Sequence, residues 1–522
     1  MITVTDAFKQ AFQSNNRFWK YKAQITRNSP NAVPVDISDR VISGDISCEW
    51  ERRSTFANIE LDNYDYALSP VNQASLTNQV AGVYDPLLDS NHILEIWEGI
   101  LTTNGYEYVK KFTGLLGDEI DADTMPGVVN LTVRDKSKRF QDTYIYQSKT
   151  YSPLATPALT LAEKVIQDLI TTFLPDEKIT MAVDDPTNFV VGLPNQPYTA
   201  KDINLWDAIQ QIADAFNFCV MFDENGILRM KNIIRDYSKA PSVHTFDESV
   251  LIKDSLSTSD SDVRNHIMLR VQGLDPIEKK DEESIAKYGR RYFEVHRSLS
   301  SILTTAEQGH KLVDNILADY AYVIPVDRIE VPLMPHIQCG DIVSLVNTRL
   351  GTNAITYKYR VVSLRDSFTN DKKRTTLTLH GYNAYKPSES IAPKPATNLT
   401  STFITRAVQN YAGSGWVGYT KTAYYPMLKW NQPTQDISGN ALSNDFGGYT
   451  IYRKGPADSQ FFPVASVKSY IEAQNLIVNF WYDYTALAGA NQYKIVAINK
   501  FGKSSAESST ISLTKIADAV TN

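Results

Sequence analysis

The side chains that could bind a metal ion or transfer a proton are scattered along the chain. A His-Glu-x-x-His pair would place two imidazoles on one helix face for zinc, and no such pair occurs. The nearest helical spacing is that of His310 with Asp314, which lie four residues apart and so on one face. No third ligand is indicated, so this spacing favours an ordinary polar contact over a metal site. The seven histidines are His92, His244, His266, His296, His310, His336 and His380.

Clustered carboxylates could serve glycoside hydrolysis, in which two acids flank the scissile bond at a defined separation. Such runs usually form solvated turns, and "GDEIDADT" lacks the glycine and the final glutamate of an EF-hand loop. A nucleophile elbow, a Walker loop and a dinucleotide fingerprint are also missing from the sequence. We therefore predict no catalytic, cofactor-binding or metal-binding residues, no cofactor, and a non-enzymatic role. The acidic runs are Asp118-Glu119 with Asp121 and Asp123, and Glu282-Glu283.

Aromatic residues are abundant, with 29 Tyr and 7 Trp, and "NYAGSGWVGYTKTAYYPM" concentrates five of them. Amphipathic rings of this kind could form a platform for a carbohydrate, because each offers a flat apolar face and a polar tip. Packing in a core or an interface is the alternative, and we favour it. The five residues are Tyr411, Trp416, Tyr419, Tyr424 and Tyr425.

The charge balance argues against nucleic-acid recognition as the main task. Lys and Arg number 52 against 59 Asp and Glu, a formal charge of −7, and no long basic run would suit a phosphate backbone or an anionic lipid surface. The short run "DKKRTT", Lys372 to Arg374, is predicted to be a solvated hairpin loop, with contact to an acidic partner subunit as the alternative.

Length and cysteine content indicate a multidomain protein made in a reducing compartment. A chain of 522 residues is too long for one hydrophobic core. Cys48, Cys219 and Cys339 are too far apart for a disulfide framework or a clustered zinc site, so we expect buried thiols. The opening "MITVTDAFKQAFQSNN" is not a signal peptide, and no stretch approaches the ~18 apolar residues of a membrane span. We expect a protein that is not exported by the Sec route.

Hydrophobic periodicity divides the chain. Residues 1–145 alternate apolar and polar side chains in segments such as "DRVISGDISCEWE", "STFANIELDN" and "GVVNLTVRD", which predicts a sandwich or barrel. Residues 146–240 contain two predicted amphipathic helices and then two strands around an Asn225-Gly226 turn, a small α/β module. The apolar positions are Leu161, Val165, Leu169 and Phe173 on the first helix, and Leu205, Ile209, Ile212 and Phe216 on the second.

Residues 241–385 are predicted to form a second β-domain with an attached helix at about 304–320. Leu312, Ile316 and Tyr320 would line one side of that helix. Capping boxes are predicted for this helix and for the first helix of the α/β module. The cap residues are Thr304 with Glu307, and Thr160 with Glu163. Residues 386–400 are rich in Pro and Ser and are predicted to be a stiff linker before a last domain at 401–518.

The C-terminal segment, about residues 393–516, resembles a fibronectin type III domain. "PMLKWNQP" would place Trp430 in the core on the second strand, and Leu487 with Tyr493 have the spacing of a tyrosine corner, whose hydroxyl returns to the backbone upstream. The alternative is a β-sandwich of another topology.

The stretch "VPLMPHIQCGDIVSL", residues 331–345, holds an extended approach through Pro332 and Pro335 and then turns at Gly340-Asp341. Together with "SIAKYGRRYFEV", the helix "AEQGHKLVDNILADYA" and "YRVVSLRDSFTNDKKRTTLTLHG", it resembles the hub proteins of phage tails and baseplates. "LEIWEGILTT", "KKFTGLLGDEI" and "VVNLTVRDKSKRF" resemble the first barrel of the same family.

This resemblance implies a mainly β, multidomain protein with two tube-like β-barrels, an α/β module between them and a fibronectin type III sandwich. It implies a homotrimer whose six barrels surround a channel and join a hexameric tail tube to a three-fold tip. Implied partners are a tail tube or distal tail protein, a tape-measure protein and tail spike or fibre proteins. DNA would be passing cargo only. The implied location is the virion, after assembly in the host cytoplasm. The alternatives are a tail protein that binds or degrades host surface glycan, through the last domain, and an extracellular adhesin.

Overall fold

A computed structural model describes residues 2–521 with internal gaps, and its strands greatly outnumber its helices. The predicted fold class, mainly β and multidomain, is confirmed. The residues not described are 15, 30, 123–126, 153–160, 178, 185–188, 193–196, 236, 238–239, 272–274, 296–301, 348–354, 370–372, 382–390, 413–416, 443–445 and 472–475.

Six strands of the N-terminal segment form one continuous array, which we call the first repeat. Its order across the sheet is β1-β7-β8-β9-β4-β3, so that, numbered along the chain, the strands run 1-4-5-6-3-2. The elements of this segment are α1 (Asp6–Gln13), β1 (Trp19–Thr26), β2 (Val35–Asp36), β3 (Val41–Glu49), β4 (Ser54–Asp62), β5 (Gln79–Val80), β6 (Val83–Tyr84), β7 (Ile93–Thr102), β8 (Gly105–Ala122) and β9 (Val128–Asp135). Their alternation of buried and exposed residues places one face of each strand in an apolar core.

The following segment, for which the sequence predicts an α/β module, combines helices with short strands. Both helices begin close to their predicted positions, and the turn at Asn225-Gly226 connects two antiparallel strands. The elements are α2 (Ser137–Asp142), β10 (Tyr144–Ile145), β11 (Lys149–Tyr151), α3 (Ala162–Phe173), β12 (Met181–Val183), β13 (Tyr198–Ala200), β14 (Ile203–Asn204), α4 (Leu205–Ala215), β15 (Phe218–Phe222) and β16 (Leu228–Asn232).

Six strands of the segment after residue 241 form a second repeat. Their order is β17-β23-β24-β25-β22-β18, which numbered along the chain is again 1-4-5-6-3-2. One pairing differs, because β17 is parallel to β23 whereas β1 is antiparallel to β7. The elements are β17 (Thr245–Phe246), β18 (Lys253–Ser257), β19 (His266–Leu269), β20 (Ile277–Lys280), α5 (Glu282–Tyr288), β21 (Tyr292–Glu294), α6 (Ala306–Tyr320), β22 (Val326–Pro332), β23 (Ile342–Asn347), β24 (Ile355–Phe368) and β25 (Lys373–His380).

The two repeats also share register. Ile59 is opposite Leu131 in the first, and Ile329 is opposite Leu377 in the second. The sequences around these equivalent positions are also similar: Ile-Glu-Leu at 59–61 corresponds to Ile-Glu-Val at 329–331. Likewise, Leu-Thr-Val at 131–133 corresponds to Leu-Thr-Leu at 377–379. Apolar side chains at these equivalent positions therefore face inward in both repeats.

One apolar core joins the α/β module to the insertion between β18 and β22. Helix α6 contributes Leu312, Val313 and Leu317 to the cluster that is built around α3 and α4. This core therefore crosses residue 241, where the sequence divides the two segments. Tyr320, expected on the buried side of α6, is 46% exposed.

Two predicted helix caps differ in the structure. The capping box of α6 consists of Thr305 and Gln308 rather than Thr304 and Glu307, one residue further along the chain. Helix α3 has Leu161 at its N-cap without a side-chain hydrogen bond, and Thr160 lies outside the described residues. Competing cap residues that stand side by side explain the first shift, because Thr304 and Thr305 are equally suitable by type.

The C-terminal segment is a β-sandwich. One sheet has the order β26-β27-β32 with β35 on β27, and the other has the order β29-β28-β33-β34. Trp430 is buried between the two sheets, as predicted. The strands are β26 (Thr397–Ala412), β27 (Val417–Asn431), β28 (Phe446–Lys454), β29 (Phe462–Lys468), β30 (Tyr470–Ile471), β31 (Leu476–Ile477), β32 (Phe480–Tyr482), β33 (Gly489–Asn499), β34 (Ile511–Lys515) and β35 (Ala519–Thr521).

The tyrosine corner expected in this sandwich has a different bonding partner. The Tyr493 hydroxyl donates to the Asp483 carboxylate at 2.8 Å, not to an upstream backbone group. Arg453 donates to the same carboxylate oxygen at 2.8 Å, and Leu487 is 53% exposed. A buried carboxylate needs a charged partner and hydrogen bonds, and here Arg453 and Tyr493 provide both.

Candidate assembly interface

The two repeats join edge to edge into a single 13-stranded sheet. Strand β24 is longer than its hairpin partner β23, and the pairing between them ends at Arg360. Beyond that point, residues 363–368 of β24 pair antiparallel with residues 44–49 of β3. Position 5 of the second repeat thus pairs with position 2 of the first. The resemblance implies two tube-like barrels in one chain, and backbone hydrogen bonds between β24 and β3 connect the two sets of strands.

Side chains on both faces reinforce this junction. Tyr21 of β1 stacks on Phe368 of β24 with ring centroids 4.1 Å apart. On the outer face, the Arg365 guanidinium lies 2.9 Å from the Asp45 carboxylate. The Arg365–Asp45 pair is largely exposed, so its contribution is small, and the apolar stack is the stronger contact.

A charged cluster is buried where the repeats meet. Lys111 of β8 lies 2.8 Å from the Asp366 carboxylate of β24, and both side chains are almost completely buried. Lys111 also donates to the Ile337 carbonyl at 3.1 Å, and the Thr375 hydroxyl donates to Asp366. Burial alone would lower the pKa of Lys111, but the charges of Asp366 and Glu98 outweigh burial and raise it.

Glu98 completes the cluster. Its side chain is fully buried, and among the described residues neither carboxylate oxygen has a hydrogen-bond partner. Burial, reinforced by the negative charge of Asp366, raises the pKa of Glu98 well above its usual value. This raised pKa shifts Glu98 toward its neutral form, beside the Lys111–Asp366 ion pair.

The Gly340-Asp341 turn lies beside the junction. Gly340 has a φ of +87° and donates its N–H to Val361 at 2.8 Å, while Asp341 accepts the Gln338 N–H at 3.0 Å. The glycine packs directly against the Trp50 ring, which follows β3. The turn predicted at Gly340-Asp341 is confirmed.

Two strand edges that correspond to the junction have no backbone partner among the described residues. Strand β18, at position 2 of the second repeat, pairs with β22 on one side and ends the sheet on the other. Strand β8, at position 5 of the first repeat, extends beyond its neighbour β7, because the pairing between them ends at Leu115. On the side of β8 that faced β7, residues 117–122 therefore pair with no other described strand. All five residues of β18 are exposed. Such edges are sites for pairing with another chain.

No protein-family model and no curated protein matches this sequence. Similar solved structures include the tail protein from Neisseria meningitidis MC58, with a TM-score of 0.48 and 13% identity over 70% of this chain and 96% of that one. The 43 kDa tail protein of prophage MuSo2 from Shewanella oneidensis has a TM-score of 0.44 and 9% identity over 70% of this chain and 99% of that one. The prophage tail protein gp18 from Listeria monocytogenes EGD-e has a TM-score of 0.42 and 14% identity over 70% and 95%. At these scores the likeness assigns neither a family nor a function.

The residues with possible metal or acid–base chemistry are dispersed. Asp314 accepts from Lys279 at 2.8 Å, while His310 packs against Gly502 of the sandwich. Burial, with a smaller effect of Lys279, lowers the pKa of His310 to about 3. Asp118 pairs with Arg134 at 2.9 Å. In the part of the chain that the structure describes, no group of three or more His, Cys, Asp or Glu side chains could hold a metal ion.

The other acidic candidates lie at separate surfaces. Glu119 and Asp121 are exposed on β8, Asp123 lies outside the described residues, and Glu282-Glu283 form the first turn of α5. His92 is buried and contacts the Leu87 carbonyl at 3.0 Å. The rings of His244 and His336 lie 5.6 Å apart, and His266 pairs with Glu278. His380 ends β25, and His296 lies outside the described residues.

Of the five clustered aromatic residues, for which we favour packing over a carbohydrate platform, Tyr424 and Tyr425 have described side chains. Tyr425 packs edge-on against Tyr484 with centroids 5.0 Å apart. Tyr411, Trp416 and Tyr419 lie outside the described side chains.

The described residues of the basic run 372–374, and the three cysteines, have structural roles. Lys373 and Arg374 begin β25, Arg374 pairs with Glu330, and Lys372 lies outside the described residues. Cys48 and Cys219 are buried, Cys339 is half-buried, and all three are free thiols. No helix among the described residues is long and apolar enough to span a membrane.

A buried aspartate beside the free edge predicts pH-dependent stability. Burial and the neighbouring Asp254 raise the pKa of Asp327 on β22 to about 7, whereas an unfolded aspartate titrates near 3.9. The folded chain therefore binds more protons than the unfolded chain between these values. The contribution of Asp327 to stability is therefore greatest below about pH 4 and should fall by roughly 2–4 kcal/mol as the pH rises from about 4 to about 7.

We expect Asp327→Asn to remove this pH dependence and to be more stable than the wild type at pH 8. Unfolding midpoints measured from pH 4 to pH 8 test this. Asp254→Asn, the control, removes one cause of the shift, so the loss of stability should begin at lower pH. An unchanged slope in Asp327→Asn would contradict the assignment.

Proposed function

We propose that this protein is the structural hub of a phage tail tip or baseplate. Three copies would form a ring in which six similar repeats surround a DNA channel and join a hexameric tail tube to a three-fold tip. The role is structural rather than enzymatic.

The observation that carries this proposal is the 1-4-5-6-3-2 strand order shared by the two repeats of one chain. Two near-copies per chain allow three chains to offer six equivalent sheets. The order of motifs in the sequence supports the same role, since the Gly340-Asp341 turn and the last hairpin belong to the second repeat.

Native mass spectrometry and negative-stain electron microscopy of the full chain test the proposal. We expect the purified chain to give a trimer in the mass spectrum and ring-shaped assemblies in the micrographs. In intact phage particles, we expect the labelled protein at the tip of the tail. A chain that stays monomeric at high concentration and is missing from such particles would refute the role. Glycan-array binding and release of reducing sugars from host walls separate it from the glycan-directed alternative.

A further inference from the structure

Each junction between repeats uses two edges, and one chain contains both edges twice. Within the chain, position 5 of the second repeat (β24) pairs with position 2 of the first (β3). The remaining copies, position 5 of the first repeat (β8) and position 2 of the second (β18), lack such a partner among the described residues. A second chain that repeats the internal junction would fill both edges.

Shared register identifies equivalent residues on position 5. Ile120 of β8 is opposite Leu131, and Leu364 of β24 is opposite Leu377. Because Leu131 and Leu377 are equivalent, Ile120 corresponds to Leu364. The next two residues follow in register, so Asp121 corresponds to Arg365 and Ala122 to Asp366. Each strand also has a register shift against its neighbour just before this segment.

The same procedure applies to position 2. Ile46 of β3 is opposite Ala57, and Leu256 of β18 is opposite Asp327. Ala57 and Asp327 each lie two residues before the anchoring isoleucines Ile59 and Ile329. Leu256 therefore corresponds to Ile46, and Ser257 corresponds to Ser47.

Burial shows what β18 lacks. Ile46, which the internal junction covers, is 1% exposed, whereas its equivalent Leu256 is 59% exposed. An isolated exposed leucine is ordinary. Here, however, it occupies an inward-facing position on an unpaired edge strand. The exposure of Leu256 and the free side of β8 are therefore two halves of one unfilled junction.

We propose that β18 of one copy pairs antiparallel with the end of β8 of the next copy, with Leu256 opposite Ala122 and Ser257 opposite Asp121. This inference rests on the proposed ring and specifies how its copies join. The contact uses two different surfaces of each chain, so it propagates head to tail and closes into a ring when the rotation allows it. Inside the chain, Ile46 is opposite Asp366 and Ser47 is opposite Arg365 in the same way.

Disulfide trapping tests the register. Because the Trp50 N–H donates to Val362, alternation places Ser47 and Arg365 at a non-hydrogen-bonded pair, with Cα atoms about 4.5 Å apart, which suits a disulfide. We expect oxidised Asp121→Cys/Ser257→Cys to give covalent dimers and trimers on a non-reducing gel. The wild type, with its three native thiols, should give none.

Two matched variants control this experiment. Ser47→Cys/Arg365→Cys reproduces the pair inside the chain and should link within the chain, giving no covalent dimer or trimer. Asp121→Cys/Ser255→Cys is offset by two residues and should link poorly. Equal linking by the offset pair would overturn the register. A trimer by native mass spectrometry in which neither pair links would overturn the β18–β8 pairing and leave the ring standing, whereas a monomer at every concentration would overturn both.

A charge on the edge supplies a second test. Leu256→Lys places a cation beside Asp327 in the single chain but opposite Ala122 at the junction, and inward-pointing charges protect edge strands from pairing. We expect association at least tenfold weaker by analytical ultracentrifugation, with an unchanged thermal midpoint of the dissociated chain. Ser255→Lys, on the outer face, should have a smaller effect. Unchanged association of Leu256→Lys would overturn the proposal.

Discussion

Replacement of Lys111 by methionine is expected to lower the free energy of unfolding of the two joined repeats by about 3–5 kcal/mol, because it leaves Asp366 as an uncompensated buried charge. Lys111 is the cation nearest to this carboxylate, at 2.8 Å, and both side chains are almost completely buried. Since the pair connects β8 to β24, the loss should appear at the junction. Denaturant unfolding gives the magnitude, and hydrogen exchange of the β8 and β24 amides gives the location.

Two variants make this result interpretable. Lys110→Met removes the adjacent lysine, which pairs with Glu95 and is partly exposed, and should cost less than about 1 kcal/mol. The double variant Lys111→Met/Asp366→Asn removes both charges and keeps an acceptor for Thr375, so it should recover much of the loss. Equal destabilisation by Lys110→Met and Lys111→Met would show that burial of the pair does not matter.

The strands of the first repeat could be predicted from sequence because their pattern is local. "STFANIELDN" and "GVVNLTVRD" alternate apolar and polar residues, and both contain the strands they predict, β4 and β9. The helices α3 and α4 were predictable for the same reason, since their apolar residues recur every three or four positions over three turns. Local patterns therefore define the elements well.

The junction could not be predicted in this way. Pairing of β24 with β3 joins residues more than 300 positions apart, and alternation fixes which face of a strand is buried but not which strand lies beside it. Asp366 and Lys111 show the consequence, because each looks like a surface charge in its own segment. The echo of Ile-Glu-Leu at 59–61 in Ile-Glu-Val at 329–331 was the available signal for the repeat.

The bonding of Tyr493 was missed for a related reason. Its partners Asp483 and Arg453 lie 10 and 40 residues upstream on separate elements. A spacing rule based on Leu487 and Tyr493 considers the backbone alone. Only the packed sandwich brings the buried carboxylate to the hydroxyl.

Gly340→Ala should be the most damaging single-methyl change at the turn beside the junction. A φ of +87° is left-handed backbone, which costs an L-residue roughly 1–2 kcal/mol. A Cβ at this position would also overlap the Trp50 ring, and overpacking adds about 1–3 kcal/mol. We expect a total loss of about 3 kcal/mol, measured as a lower unfolding midpoint of the joined repeats.

Gly82→Ala separates the two contributions. Gly82, in the first repeat's segment, has a φ of +78°, and no atom lies within 4 Å of the Cβ that alanine would add. The loss of stability in Gly82→Ala should therefore reflect the backbone conformation alone, about 1–2 kcal/mol. The remainder at Gly340 should then depend on Trp50. In Trp50→Leu the same Gly340→Ala change should cost clearly less, because the smaller side chain removes the overlap. Equal losses at Gly82 and Gly340 would mean that Trp50 yields without cost, and the turn would then hold the junction through its backbone hydrogen bonds alone.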